Sequence, residues 1–487
     1  KETWQILREY ETQPNIRVTY LRERGGIAVA SNAALALASG EFVVLLDHDD
    51  ELPPDALYHV VRLLNEHPEA DYVYSDEDKL DIDGSRCDPH FKPDWSPDQF
   101  MAYMYTCHLL VARRSLVTEV GSFRTGFEGA QDYDLVLRLI ERTSNIWHIP
   151  KVLYHWRKIP QSAASVANAK PWAHEAGRRA LDDHLTRNRV EGEVLAGPAP
   201  GFFRVRRRIK GGPLVSIIIP TVGGADRAGR DLLARAVSSL IEHTDYRNYE
   251  IVVVPSSPAL SPAVERALRR SRHLVVPFAE PGPFNFSKTI NFGVRHASGD
   301  HLVLFNDDLE ILTGEWLTAL LELSQIDEVG AVGAKLLYPD GRVQHVGIVL
   351  GVNGVAAHAF HQHPGTSAGY YGSAITVRNF SAVTAACLMT RRQVFERVGG
   401  FDESFGVDFN DVDYCLRVRQ AGYRIVFTPY AQLYHHESAS FGARTQSPDG
   451  LAKMRQRWQD VIERDPYYNP NFSRQYPDYS LAVDDEA

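Results

Sequence analysis

Two clusters of carboxylates in the sequence directly follow apolar runs. Three aspartates end the apolar run of EFVVLLDHDDELPP (41–54), and two follow that of HLVLFNDDLEI (301–311). Carboxylates this close repel one another unless a proton, a cation or solvent relieves the charge. Aspartate oxygens suit hard ions such as Mg²⁺ and Mn²⁺, which usually keep open positions for substrate phosphates. The pattern indicates metal-assisted chemistry on a phosphorylated substrate, whereas either segment alone would also fit a polar turn before a helix.

Two further polar landmarks follow each acidic cluster. Asp132 and Asp411 each stand ahead of an apolar-periodic helical pattern, and His155 and His435 each follow a later strand-like run. A separate carboxylate suits a general base that takes a proton from an attacking hydroxyl, although it also suits a helix N-cap. An imidazole beside the carboxylates would tilt the choice of ion toward Mn²⁺.

These landmarks belong to an internal repeat. Residues 31–52 match residues 290–311 at a constant offset of 259. From the single aspartate to the late histidine, the spacing is 23 residues in the first copy and 24 in the second. The chain therefore holds two copies of one domain. By the same offset the strand-like run VSIIIP (215–220) has its counterpart ahead of residue 1, so we expect the first copy to lack its N-terminal strands and the numbering to begin inside a longer protein.

Short apolar runs alternate with amphipathic helical patterns along the chain. FVVLL, VSIIIP, EIVVVP, HLVLF and RIVFTP are predicted strands, and DALYHVVRLLNEH and DLLARAVSSLIEH are predicted helices. Strands buried on both faces that alternate with helices indicate an α/β fold with a mostly parallel sheet, in which ligands bind beyond the carboxyl ends of the strands. We predict a first domain at 1–200, a linker at 201–213, a second domain at 214–445, and a C-terminal helix with an extended tail at 446–487.

Composition argues against several classes of protein. The net charge of the 487 residues is −10, which disfavours nucleic acid as the main partner. No uninterrupted apolar run approaches the roughly 18–20 residues that span a bilayer. The four cysteines show no CxxC spacing, which suits a reducing compartment. We expect a cytoplasmic protein, with peripheral contact at the inner membrane face as a further expectation.

In combination, these motifs resemble those of glycosyltransferase family 2. The resemblance rests on LLDHDD, GAQDYDL and YHWR in the first copy, and on FNFSKTINFG, FNDD, GGFDESFGVDFNDVDYCLR and LYHHES in the second. It implies two tandem GT-A domains and an inverting sugar transfer from a nucleoside-diphosphate donor to a saccharide or lipid-linked saccharide. The motifs are similar above all to those of bacterial O-antigen and rhamnan-type polysaccharide synthesis, which suggests rhamnosyl or other hexosyl transfer.

The resemblance also implies residue roles. The catalytic bases would be Asp132 and Asp411, and the ligands of Mn²⁺ or Mg²⁺ would be Asp47, Asp49, His155, Asp307, Asp308 and His435. We predict donor contacts at Asn32, Asn291, Asn306 and Arg157. We predict acceptor contacts at Asp76, Trp95, His358 and His436, with His436 as an alternative metal ligand. Asp76 lies in the acidic stretch YSDEDKLDIDG (74–84), which we predict to be a loop beside the acceptor groove.

The sequence leaves two alternatives open. A nucleotidyltransferase shares the α/β sheet and the metal–diphosphate chemistry, but PTVGGADRAG after the first strand lacks the lysine that such an enzyme would want. The second copy could also be a non-catalytic saccharide-binding or assembly module. Pro255 and Ser256 stand where the family usually has an acid, and Asn306 replaces the first aspartate of the DxD motif. The retained Asp411 and His435 argue for catalysis instead.

Overall fold

A computed structural model describes residues 2–158, 171–226, 229–256, 260–279, 282–436 and 447–482. The chain divides into two compact units, Lys1–Trp95 with Phe100–Val205 and Ser96–Gln99 with Arg206–Ala487. Among the described residues no helix is both long enough and apolar enough to cross a membrane.

Residues 2–207 contain seven helices and seven strands within the described ranges. The helices are α1 (Glu2–Tyr10), α2 (Gly26–Leu37), α3 (Ala56–Glu66), α4 (Pro97–Phe100), α5 (Arg114–Glu119), α6 (Gln131–Leu139) and α7 (Pro171–Arg187). The strands are β1 (Phe42–Leu45), β2 (Tyr72–Leu80), β3 (Arg86–His90), β4 (Leu110–Arg113), β5 (Ile146–Arg157), β6 (Gly192–Ala196) and β7 (Phe203–Arg207).

The main sheet of the first unit is mixed. Its order is β1-β4-β2-β3, with β5 beside β2. Only β2 and β5 run parallel, and the other neighbours are antiparallel. The core buries Tyr72 and Tyr74 of β2 against Leu135 and Leu137 of α6. Aromatic and β-branched residues suit such a half-buried pleated surface, and the apolar face of α6 covers it.

The second unit continues the numbering. Its helices are α8 (Leu232–His243), α9 (Pro262–Leu268), α10 (Phe286–His296), α11 (Trp316–Ser324), α12 (Arg392–Arg397), α13 (Asn410–Gln420) and α14 (Pro448–Glu463), with a 3₁₀ turn at Tyr370–Gly372. Its strands are β8 (Val215–Thr221), β9 (Tyr249–Pro255), β10 (His273–Val275), β11 (His301–Phe305), β12 (Leu309–Ile311), β13 (Val329–Leu337), β14 (Val343–His345), β15 (Ile348–Leu350), β16 (Ala356–His358), β17 (Arg378–Asn379), β18 (Cys387–Arg391) and β19 (Arg424–His435).

The large sheet of the second unit has a parallel half and a mixed half. Its order is β10-β9-β8-β11-β18-β13-β19-β12. The strands β10, β9, β8 and β11 run parallel, as predicted, whereas β18 and β12 are antiparallel to their neighbours. All seven residues of β8 are buried, which fits a strand covered on both faces. The carboxyl ends of β8 and β11 lie at the same edge, so Thr221 and the acidic cluster meet there.

The two units differ beside the strand that leads to the acidic cluster. In the second unit β11 pairs with both β8 and β18. Among the described residues of the first unit, the corresponding β1 pairs only with β4. The matching glycines Gly299 and Gly40 show the same difference. A Cβ on Gly299 would lie 2.6 Å from the backbone nitrogen of Ser216 in β8. A Cβ on Gly40 would contact only the carbonyl oxygen of Phe42, at 3.2 Å. The first unit thus has no counterpart of β8 to β10 in the described part of the chain.

Most of the acidic stretch 74–84 of the first unit is a strand and not the predicted loop, and only residues 81–84 form a turn. Residues 72–80 form β2, and Asp76 and Asp78 are buried in it. Asp76 accepts the backbone N–H of Lys92 at 2.8 Å and contacts Nε2 of His148 at 2.9 Å. Cationic and hydrogen-bonding partners of this kind offset the cost of burying carboxylates, so an acidic sequence can form a central strand.

Candidate active sites

Strand pairing in the second unit brings the acidic cluster to the late histidine. The backbone N–H of Asn306 donates to the carbonyl of Ala386 at 3.0 Å, which fixes the chain as it leaves β11. Leu309 of β12 pairs with His435 of β19. This register places Oδ1 of Asp308 3.2 Å from Nε2 of His435. Two residues that are 127 positions apart therefore form one polar pair at the sheet edge.

The pair has the chemistry and spacing of two metal ligands. Oδ1 of Asp308 is buried, and among the described residues no donor makes an aligned hydrogen bond to it. Adjacent ligands of an octahedral ion, each about 2.1 Å from the metal, lie about 3 Å apart. Burial alone would raise the pKa of Asp308, but His435 and backbone hydrogen bonds lower it, so the carboxylate stays charged. Among the described residues no group of three or more potential metal ligands occurs.

Asp307 turns away from this pair toward the first strand. The hydroxyl of Thr221, at the end of β8, donates to Oδ2 of Asp307 at 2.5 Å. Burial, partly offset by this bond and reinforced by the neighbouring Asp308, raises the pKa of Asp307 to about 6. Thr221 engages Oδ2 alone, so the ligand role of Asp307 stays a prediction. Sequence analysis missed Thr221, which is the last residue of β8.

Asp411 is a buried acid in the first turn of α13. Its Oδ2 accepts the N–H of Ala385 at 3.1 Å, and its Oδ1 accepts the N–H of Val412 at 2.9 Å. Phe409 occupies the cap position, so Asp411 is not the N-cap of its helix. Burial raises the pKa of Asp411, which makes it a better proton acceptor than an ordinary aspartate once ionised. Asp132 has the same place in the first turn of α6, and burial raises its pKa as well.

In the first unit the late histidine has a different partner. Nδ1 of His155 lies 2.5 Å from Oδ1 of Asp78 on β2. Glu51 and His155 exchange backbone hydrogen bonds, one residue out of step with the matching pair Leu309 and His435 of the second unit. Because a shift of one residue turns a side chain to the other face, His155 contacts Asp78 and not the acidic cluster. The predicted grouping of Asp49 with His155 is not observed, and Asp49 instead lies 3.7 Å from the exposed His48.

A cavity of about 420 Å³ in the first unit holds two of the predicted residues. Asp47 and Asp132 line it together with Cys107, His108 and Tyr154. His108 is a residue that the sequence analysis missed. Nδ1 of His108 lies 3.0 Å from Oε2 of Glu77, and its ring stacks on Tyr154. The repeat could not identify His108, because the matching residue of the second unit is an alanine. The only available signal was that it is a histidine.

The asparagines predicted to bind the donor hold the backbone instead. Asn32 exchanges two hydrogen bonds with the backbone of Phe123, at 2.8 and 3.0 Å. Asn291 does the same with Phe401, at 2.9 Å in both directions. The two matching asparagines therefore make the same backbone contact in both units. These amides are engaged within the protein, which corrects their predicted role.

Arg157 also has an internal function. Its Nε donates to the carbonyl of Asp49 at 2.7 Å, and its backbone N–H donates to Oδ1 of Asp50 at 2.8 Å. A further ion pair joins Arg157 to Glu51. The side chain thus braces the acidic cluster of the first unit, and no contact of it points to a donor.

The predicted acceptor residues differ in burial and in their contacts. Asp76 is fully buried, and Trp95 packs with Phe100 and Tyr105 at the edge of the core, so both are structural. The ring of His436 lies 3.2 Å from Glu310, and its backbone N–H donates to the carbonyl of Asp308 at 3.0 Å. The ring that contacts the carboxylate of Asp308 is that of His435. His358 pairs with a second histidine on the loops that follow β13.

The fold and the site together define an α/β protein with a carboxylate–imidazole pair and a buried acid at the carboxyl edge of its sheet. The chain belongs to glycosyltransferase family 2. The pattern described as "Glycosyl transferase family 2" matches residues 1–100, and that described as "Glycosyltransferase like family 2" matches residues 213–460. Both acidic clusters fall inside the matched ranges.

Relatives extend over nearly the whole chain. "Uncharacterized protein y4gI" of Sinorhizobium fredii is 45% identical over 99% of this chain and 54% of its own length. "O-antigen biosynthesis protein RfbC" of Myxococcus xanthus is 40% identical over 98% of this chain and 37% of its own. An "N-acetylglucosaminyl-diphospho-decaprenol L-rhamnosyltransferase" of Mycobacterium tuberculosis is 31% identical over 29% of this chain and 49% of its own. The chain thus spans about half or less of the length of these relatives.

Proposed function

We propose that the second unit is a metal-dependent, inverting glycosyltransferase that extends a bacterial surface polysaccharide. The observation that carries the proposal is the Asp308–His435 pair, which strand pairing brings together. The buried Asp411 accepts the N–H of Ala385, and the next residue, Ala386, holds Asn306 of the acidic cluster. The donor would be a nucleoside-diphosphate sugar, and the acceptor a hydroxyl of a saccharide, free or lipid-linked. The names of the two characterised relatives favour an O-antigen type of product and a rhamnosyl donor.

The residues present suggest how the reaction would proceed. Asp411 takes the proton of the acceptor hydroxyl as its oxygen attacks the anomeric carbon. The new C–O bond forms on the face opposite the diphosphate, the old C–O bond breaks, and the configuration inverts. Asp308 and His435 would hold Mn²⁺ or Mg²⁺, which would neutralise the departing diphosphate. Thr221 and Asp307 fix the end of β8 beside that position.

The first unit supports a different proposal. Its His155 is paired with Asp78, and its β1 has no β8-type neighbour in the described part of the chain. The acid Asp132 is retained and lines a cavity. We therefore propose that the second unit carries out the sugar transfer, because in the first unit the late histidine pairs with Asp78 and not with the acidic cluster.

A donor screen tests this proposal. The chain would be incubated with dTDP-rhamnose, UDP-glucose, UDP-N-acetylglucosamine and GDP-mannose, with and without Mn²⁺, and release of nucleoside diphosphate would be measured with p-nitrophenyl glycosides as acceptors. We expect one donor to be consumed only with metal, and Asp411→Asn to lower transfer at least about 100-fold. The matched variant Asp132→Asn should retain it. Pyrophosphate release from a sugar phosphate and a nucleoside triphosphate would instead favour the nucleotidyltransferase.

A further inference from the structure

The turn ahead of the proposed base contains a bulky residue in a left-handed conformation. Phe409, the N-cap of α13, has φ 60 and ψ 5 and precedes Asp411 by two residues. A residue with a Cβ rarely adopts a positive φ, and a strained residue of this kind persists only where its surroundings hold it. Strained residues of this kind cluster beside functional groups. The conformation of Phe409 therefore requires a contact that maintains it.

The first unit has an ordinary backbone conformation at the matching position. By the offset of 279 residues that matches Asp132 with Asp411, Phe409 corresponds to Ala130. Ala130 is the N-cap of α6 and has φ −144. The positive φ thus belongs to the second unit, where a phenylalanine stands in place of the alanine.

The start of α14 packs against this turn. The buried ring of Phe409 lies so close to Gly450 that a Cβ on Gly450 would be 3.2 Å from Cδ2 of the ring. The backbone N–H of Ser447, the N-cap of α14, donates to Oδ2 of Asp408 at 3.0 Å. Both contacts are made to the two residues before Asn410, so α14 fixes the chain where it enters α13.

The same helix holds the residue that follows the base. Asp413 is fully buried two residues after Asp411. Its Oδ1 accepts hydrogen bonds from Nη1 of Arg457 at 2.6 Å and from Nε1 of Trp458 at 3.0 Å, both from α14. The backbone N–H of Asp413 donates to the carbonyl of Phe409 at 2.9 Å. The base thus lies between two residues that α14 anchors.

The carboxylate of Asp411 bridges from this turn to the sheet. Its Oδ2 accepts the N–H of Ala385, which belongs to the segment that leads into β18. The next residue, Ala386, accepts the N–H of Asn306 in the acidic cluster. A rotation of the turn would therefore move the base relative to the strands that carry the proposed metal ligands.

We infer that Phe409 is a positioning residue and that α14 holds the turn of residues 408–413 so that Asp411 faces the acceptor hydroxyl. This inference rests on the proposed function of the second unit. A general base acts only within hydrogen-bond reach of the proton that it takes, and a displacement of about 1 Å can cost about 100-fold in rate. The helix α14 lies beyond the predicted end of the second domain at residue 445, and the inference gives it a role in catalysis.

Two substitutions of Phe409 test the inference. Both remove the ring, but glycine adopts a positive φ freely and alanine does not. In Phe409→Ala the turn should relax toward the conformation of Ala130, so kcat for transfer to p-nitrophenyl glycosides should fall about 100-fold per nucleotide-binding site. In Phe409→Gly the fall should be about tenfold or less. The KM for the donor and the affinity for UDP, GDP or dTDP with Mn²⁺ should stay unchanged, because neither variant alters the proposed metal ligands.

The order of the two variants is diagnostic. Loss of a buried ring alone would lower kcat equally in both, and glycine would be the less stable of the two because of its greater conformational freedom. Gln456→Ala, at an exposed position of α14, is the matched control and should leave kcat unchanged. An equal fall in the two Phe409 variants, or no fall in Phe409→Ala, would overturn the inference.

Amide hydrogen exchange reports the position of the base without any activity. The N–H of Ala385 should exchange at least about tenfold faster in Phe409→Ala than in the unaltered chain, because Asp411 no longer accepts it. Trp458→Phe keeps the ring of Phe409 but removes one donor to Asp413, and we expect a smaller increase of the exchange rate there. Unchanged exchange in either variant would refute the inference. If the unaltered chain transfers no sugar but the exchange rates follow this order, the proposed function fails and the role of α14 in holding the turn stands.

Discussion

At the scale of the residue, two adjacent histidines at the end of β19 have different partners. His435 is the last residue of β19 and its ring contacts Asp308, whereas the ring of His436, the next residue, contacts Glu310. The sequence LYHHES could not decide between them. The partner strand β12 decides, because its register places Leu309 opposite His435.

This difference gives a metal-binding prediction with a built-in control. His435→Gln should weaken Mn²⁺ binding in the presence of a nucleoside diphosphate by more than about tenfold, because it removes one of two protein ligands. His436→Gln should change it by less than about threefold, since its contact is Glu310. Electron paramagnetic resonance of free Mn²⁺ measures both. Equal losses in the two variants would show that the ion is not held by His435.

A buried histidine far from the acidic cluster gives a pH prediction. His301 on β11 is buried and contacts the hydroxyl of Ser324 at 2.9 Å. Burial, together with the charge of Arg391, lowers the pKa of His301 to about 4. Between pH 4 and 6.5 the unfolded chain therefore binds a proton at this residue that the folded chain does not. The free energy of unfolding should fall by up to about 3 kcal/mol as the pH drops through this range.

Urea unfolding at several pH values checks this expectation. In His301→Gln the part of the pH dependence due to this ring should disappear. The difference in the free energy of unfolding between the variant and the unaltered protein should therefore change between pH 4 and 6.5. His273→Gln, at an exposed position of β10, serves as the control. Parallel curves for His301→Gln and the unaltered protein would contradict the prediction.

At the scale of the element, one helix of the repeat is buried in the second unit, as α11, and partly exposed to solvent in the first, as α3. Trp316, Leu317 and Leu320 of α11 are fully buried in a core that includes α8. Their counterparts Leu57, Tyr58 and Val61 on α3 are more than half exposed. The same amphipathic helix thus lacks its covering element in the described part of the first unit.

Alanine substitutions at matching positions should therefore have unequal effects. Leu317→Ala removes a fully buried side chain and should lower the free energy of unfolding of its unit by about 2–5 kcal/mol. Tyr58→Ala, at the matching position, should change stability by less than about 0.5 kcal/mol because its side chain is 64% exposed. Denaturant unfolding followed by intrinsic fluorescence measures both. A loss of similar size at Tyr58 would mean that a partner covers α3 in solution.

The elements were largely predictable from periodicity, and the contacts between them were not. The predicted helices 55–67 and 231–243 are α3 and α8, and their apolar spacing was sufficient to identify them. Residues 74–80 were wrongly predicted as part of a loop, because a run of carboxylates is typical of a solvent-exposed segment. Its partners Lys92 and His148 come from distant segments, so no local pattern could reveal that β2 is buried. The one-residue register difference at His155 likewise depends on strand pairing alone.

At the scale of the whole molecule, the repeat preserves the acids but not the environment around them. Both copies keep an aspartate in the first turn of a helix and an acidic cluster after a strand. Only the second unit joins the cluster to its histidine and to a β8-type neighbour within the described residues. The duplication alone suggested two equivalent transferases. The contacts favour one donor site per chain instead.

Binding stoichiometry decides between these possibilities. Calorimetric titration of the full chain with UDP, GDP and dTDP, each with Mn²⁺, should give about one site per chain for whichever nucleotide binds, because His155 of the first unit pairs with Asp78 and not with Asp49. Asp308→Asn should abolish binding, since it removes the charged partner of His435. Asp49→Asn, the matched change in the first unit, should leave both the affinity and the stoichiometry unchanged. Two sites per chain, or a loss of binding in Asp49→Asn, would show that the first unit binds a nucleotide in spite of its different strand register.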